Sequence, residues 1–154
     1  MRLRIGIAIG AWEMTFFISS FVGEREQTQQ VQAELRRLGH EILVDWTSFP
    51  GVPESERNER SHEVAAIAIR DLEGVRHADV FVLLAGVADG RAKYAELGAA
   101  IMSAVRNGKP RIYVLGEQPV HSVFFFHPSV KRMNTLDEIL NDIEASGCQA
   151  KAQS

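Results

Sequence analysis

The sequence predicts an α/β protein: one domain built on a doubly wound parallel sheet of about five strands. Three observations predict it. Short apolar runs alternate with amphipathic stretches along the chain. One run, residues 79–84 (DVFVLL), is apolar almost without interruption, as in a central strand covered on both faces. Strands and helices alternate as β-α-β-α-β-α-β with short links, so right-handed crossovers join parallel strands.

The elements follow in order. Residues 1–13 carry Arg2, Arg4 and an apolar run too short to span a bilayer. The run passes through Trp12 and Glu13 with no convincing small-residue cleavage site, which argues against a secretion signal. This stretch reads as an N-terminal extension; the alternative makes residues 3–9 an additional first strand. Residues 15–20 (TFFISS) are β-rich. Residues 24–38 read as a surface helix, with Val31, Leu35 and Leu38 on one face and Gly39 ending it. Residues 41–45 (EILVD) are the second strand, and the proline- and serine-bearing stretch 47–57 is a loop. Residues 59–73 read as a helix with Val64, Ile67 and Leu72 facing inward.

After the central strand come a turn at 86–90 and an alanine-rich helix at 92–106, broken by Asn107-Gly108-Lys109-Pro110. Residues 111–115 (RIYVL) form the next strand. A long connection, 116–128, contains Phe124, Phe125 and Phe126. Residues 129–133 form the last strand and 136–145 the closing helix. The core domain is thus expected over 14–147, with 148–154 as a frayed tail. In a Rossmann-like or flavodoxin-like sheet of this kind, ligands bind outside the carboxyl ends of the strands. The loops after residues 20, 45, 84 and 115 form the expected rim.

Composition narrows the function. A chain of 154 residues suits one core. The net charge of −3 gives no electrostatic reason for a nucleic-acid partner and suits a small, weakly charged ligand. A single cysteine, Cys148, cannot form an internal disulfide, which points to a reducing, cytoplasmic setting without membrane attachment. No dinucleotide fingerprint, Walker loop, GxSxG elbow or paired Cys/His spacing occurs, so neither a cofactor nor a metal is expected. His40, His62, His77, His121 and His127 are scattered and read as surface or loop residues.

Glu96 stands apart. It lies about one turn into the helix after the central strand. Its small neighbours, Ala95, Gly98, Ala99 and Ala100, allow close approach of a ligand or backbone. The helix dipole is expected to hold such a carboxylate ionised. An ionised carboxylate can attack an anomeric carbon as it becomes oxocarbenium-like. From spacing alone, an exposed glutamate at a helix start remains the alternative.

The stretch 70–82 (RDLEGVRHADVFV), followed by Tyr94-Ala95-Glu96-Leu97-Gly98, resembles the nucleoside 2-deoxyribosyltransferase superfamily, which includes the 2′-deoxynucleoside 5′-phosphate N-hydrolases. Phe16 to Ser20, Gly39-His40-Glu41 and the Gly108-Lys109-Pro110 turn fall where that family has its first strand, second strand and "GKP" turn, so the resemblance spans residues 15–145. It implies that Glu96 is the nucleophile and that Asp71 protonates or hydrogen-bonds the leaving base. A straight helix from residue 59 would carry Asp71 away from the site, so the match requires a break near residues 61–65. The resemblance also implies sugar or phosphate contacts from Ser19, Ser20 and Arg25, for which ordinary helix capping is the alternative. Asp89 and Gly90 fall near the sugar-hydroxyl contact. Trp46 is placed to stack on a base, or else to fill the rim.

His121 and Ser122 match a position reaching into a neighbouring subunit. With the phenylalanine run, they imply a homodimer or larger homo-oligomer, unless the phenylalanines close the domain's own core. Two departures stand out. Phe17 replaces a tyrosine that would bond the nucleophile, so that hydrogen bond is expected to be missing. The loop 86–93 offers Arg91 and Lys93 in place of the usual glycine/serine pattern. The leading reading is transfer of a deoxyribosyl group between bases. The alternatives are hydrolysis of a nucleoside or its 5′-monophosphate, cleavage of the nicotinamide bond of NAD, and nucleotide sensing without chemistry.

Overall fold

The computed structural model describes residues 13–86, 90–117 and 119–152, with 148–152 as backbone alone. The strands are β1 (Thr15–Ser19), β2 (Glu41–Ile42), β3 (Val80–Leu84), β4 (Arg111–Leu115) and β5 (Val130–Met133). They form one sheet in the order β2-β1-β3-β4-β5, and every pairing is parallel. The helices are α1 (Arg25–Arg37), α2 (Ser61–His77), α3 (Arg91–Asn107) and α4 (Leu136–Ala152).

The two-residue period of the strands sorts the core into two layers. Phe16, Ile18, Val80, Val82 and Tyr113 pack with Leu35 of α1 and Ile139 and Ile143 of α4. Phe17, Phe81, Leu83, Ile112 and Val114 pack with Val75 of α2 and Leu97, Ala100 and Ile101 of α3. All five residues of β3 are buried, as its apolar run predicts. The chain therefore leaves neighbouring strands β1 and β3 toward opposite faces. That reversal opens a crevice at their carboxyl ends, the place where this class of sheet binds ligands.

Several expectations need correction. The second strand stops at Ile42, because the chain then folds back over the sheet edge. Trp46 Nε1 donates to the Ile18 carbonyl at 2.9 Å, and Arg36 pairs with Asp45 at 2.8 Å. Helix α1 ends at Arg37, which leaves Leu38 37% exposed, and Gly39 turns the chain with φ +90°. Leu72 is 46% exposed rather than inward. The phenylalanine run divides: Phe125 is fully buried, while Phe124 and Phe126 are more than half exposed.

The break expected in α2 is absent, since the helix is continuous from Ser61 to His77. It reaches the site by where it rests on the sheet instead. Gly74 packs against Phe17, two residues before the end of β1, and Asp71 stands about 4.5 Å, nearly one turn, farther toward the carboxyl edge. A Cβ on Gly74 would stand 2.6 Å from Val44 Cγ2 and 3.0 Å from Phe17 Cδ2, so α2 rests directly on β1 and its neighbour.

Candidate active site

Ser19 ends β1 on the side of the sheet that faces α3, two residues beyond Phe17. It is fully buried. Its hydroxyl donates to Glu96 Oε2 at 2.5 Å, the short range of a charge-assisted bond. Glu96 keeps some solvent contact at the crevice, but most of its surroundings are protein. Burial pushes its carboxyl up to about 7; the Ser19 hydrogen bond opposes this, and the negative charge of Asp71 adds to it. The helix dipole does not hold Glu96 ionised as expected. The residue sits just past the first turn of α3, where the dipole has faded, and desolvation outweighs it.

Asp71 belongs to the same electrostatic unit. Burial raises its carboxyl, while the Arg70 guanidinium, 3.0 Å away, pulls it down. Arg70 in turn lies 4.7 Å over the Phe49 ring. Burial thus raises both acids above their ordinary values, and neither has a cation strong enough to reverse the shift.

Ser20 extends the pattern. Its hydroxyl donates to Glu24 Oε2 at 2.8 Å. Glu24 lies directly against Gly86 at the tip of β3, where a Cβ would meet Glu24 Oε1 at 1.3 Å. Consecutive serines at the end of β1 therefore hold two carboxylates, one from α3 and one from the start of α1.

The remaining expected residues are placed as follows. Phe17 is a core residue below the site, fully buried and stacked on Phe81 at 5.9 Å. Arg25 donates to the carbonyl oxygens of Thr47 and Phe49 and lies 5.8 Å over Trp46. Trp46 carries that guanidinium on its ring. Gly90 caps α3, and a Cβ there would stand 3.1 Å from the Phe21 side chain. Asp89 lies outside the described residues. His121 is exposed and meets Phe125 edge-on at 4.9 Å, and Ser122 accepts from the Phe124 N–H at 3.3 Å as a helix cap. Lys93 is fully buried near the Tyr94 ring.

Sequence reasoning placed a missing hydrogen bond at Phe17; Ser19 supplies one to Glu96 instead. Strand alternation carried that signal, because residue 19 shares the α3 face with residue 17. The pairing of Asp71 with its sequence neighbour Arg70 is the alternative the sequence offers for Asp71, and it is present beside the Glu96 interaction; nothing in the local pattern of Glu24 separates it from an ordinary surface charge. Among the described residues, no three His, Cys, Asp or Glu side chains come together as a metal ion requires. No helix among them is long and apolar enough to cross a membrane.

No protein-family model and no curated protein matches the chain. Among solved structures it is similar to the CMP N-glycosidase BcmB of Clostridium botulinum, with a TM-score of 0.53 and 14% sequence identity. The match covers 84% of this chain and 98% of that one, and at such identity it establishes a shared fold.

Proposed function

We propose that this protein cleaves the N-glycosidic bond of a small nucleoside or nucleotide, with Glu96 as the nucleophile. The observation that carries the reading is a carboxylate in a largely protein environment at the β1/β3 crevice, bonded by Ser19 and within the field of Asp71. In the reaction, ionised Glu96 attacks C1′ and forms a glycosyl ester. The C1′–N bond breaks and its electron pair leaves with the base. Asp71 delivers a proton or hydrogen bond to that base, and burial favours its protonated form. Water, or a second base, then takes the sugar from Glu96. The fold it shares with a clostridial CMP N-glycosidase supports the choice of bond, and favours water over a second base as acceptor.

The test is incubation with the common ribo- and deoxyribonucleosides and their 5′-monophosphates, with and without a second free base, followed by chromatography. Release of free base by the wild type and its loss in Glu96→Gln are expected. A base exchanged rather than released moves the reaction to transfer. If no bond is cleaved while a nucleotide raises Tm, the protein is a sensor and the catalytic reading fails.

The proposal extends to self-association. Val123, Phe124 and Phe126 are 81%, 57% and 56% exposed, an apolar strip that a second copy would cover. Phe124→Ser is expected to shift the wild-type oligomer toward monomer in sedimentation. A monomeric wild type would remove this part of the proposal.

A further inference from the structure

The paired serines suggest what the site rejects. Ser19 binds the carboxylate proposed to attack the sugar, and the next residue, Ser20, binds Glu24. Ser19 ends β1 and Ser20 follows it, so both carboxylates are held at the carboxyl end of the same strand. Glu24 lies over Gly86 at the tip of β3, so its carboxylate bridges from β1 across the crevice. Any side chain at position 86 would displace it.

A furanose seated with C1′ at Glu96 and its base toward Asp71 directs C4′ and C5′ away from α2. Glu24 comes from the start of α1, the helix packed on the face of the sheet opposite α2. We propose that Glu24 is a specificity-determining residue that admits a 5′-hydroxyl and excludes a 5′-phosphate. A hydroxyl can donate to the Glu24 carboxylate, whereas a phosphate monoester would bring up to two negative charges against it. The arginine nearest in sequence does not offset this. Arg25 is bound to the carbonyls of Thr47 and Phe49 and lies over Trp46. The site thereby differs from that of the structurally similar clostridial protein, whose substrate is CMP.

This inference rests on the N-glycosidic reading, and the experiment separates the two. The kcat/KM of each nucleoside is compared with that of its own 5′-monophosphate, for wild type and Glu24→Gln. The wild type is expected to favour the nucleoside by at least about tenfold, the scale of an unrelieved like-charge contact. Glu24→Gln should narrow that ratio by raising the monophosphate rate. A wild type that cleaves the monophosphate as well as the nucleoside, or better, overturns the role of Glu24 and leaves the N-glycosidic reading intact. A nucleoside preference that Glu24→Gln does not alter also overturns it. Failure to cleave either class removes both. If Glu24→Gln does not fold, Gly86→Ala, whose Cβ would displace the Glu24 carboxylate, takes its place with the same expected narrowing of the ratio.

Discussion

Glu96 and Asp142 each accept a hydrogen bond from a hydroxyl, and their chemistry diverges. Glu96 meets Ser19 at 2.5 Å on the α3 face of the sheet. Asp142, on α4, meets Tyr113 at 2.7 Å and Lys131 at 2.7 Å on the other face. Burial works against ionisation at both. At Asp142 the hydrogen bonds from Lys131 and Tyr113 overcome it and hold the carboxyl below its usual range. At Glu96 burial dominates, no cation among the described residues opposes it, and Asp71 adds a negative charge, so the carboxyl rises to about 7. A hydroxyl alone does not offset burial, whereas a hydroxyl with a cation beside it does. A structural acid is given a cation, whereas an acid meant to react is left under-compensated.

The largest effect that sharpens this contrast is expected from Glu96→Gln. Turnover should fall by three orders of magnitude or more, on the order seen when a nucleophile is removed. Stability should move the other way. Glu96 has an ordinary value of 4.5 and a folded value of about 7. The folded state therefore holds the extra proton between those values, and the penalty for ionising it grows as pH rises, reaching its full size above pH 7. That penalty is about 3 kcal/mol. Glu96→Gln is thus expected to melt higher than wild type at pH 8 and level with it near pH 4. A variant that melts lower at pH 8 would show that Glu96 is a structural acid like Asp142.

Ser19→Ala probes the one group that opposes this penalty. Its hydroxyl stabilises ionised Glu96, so removing it should push the Glu96 titration higher. The limb of kcat/KM that rises through neutral pH is expected to move up by about one unit, with roughly tenfold less activity at pH 7 and near-wild-type activity well above it. Ser19→Thr keeps the hydroxyl and should restore the limb. A uniform loss at every pH would reduce Ser19 to a packing role.

How much of this was legible in the chain follows from the range of each interaction. The sheet was readable because its strands are continuous apolar runs, and β3 is buried along its whole length. The resemblance singled out Glu96 and Asp71, and the fold brings the two within each other's electrostatic field. Their relation was harder to see. The close approach of α2 to β1 at Gly74 is a tertiary contact, so Asp71, nearly one turn earlier, needed no kink in α2 to arrive at the crevice. The charge state of Glu96 depends on Asp71 and on burial, neither of which neighbours it in sequence. Glu24 was invisible for a similar reason: its partner surface, Gly86, is brought beside it by the β1–β3 pairing.

Asp142→Asn is the smallest of these changes and the control for the others. Its carboxyl is lowered from an ordinary value of 3.8, so the stability it contributes is present above that value and is lost as pH falls through the lowered one. Lys131 is 54% exposed, which limits that ion pair to a fraction of a kcal/mol in water, so the bond from the buried Tyr113 is the larger part. The substitution should cost about 1 kcal/mol at pH 7 and progressively less as the pH falls below 3.8, read from denaturant midpoints. Glycosidic cleavage should be unchanged at every pH, because Asp142 lies on the other face of the sheet from the crevice acids. A tenfold loss of activity in Asp142→Asn would mean that the two acids are coupled through the sheet, and the contrast between a structural and a reactive carboxylate would then fail.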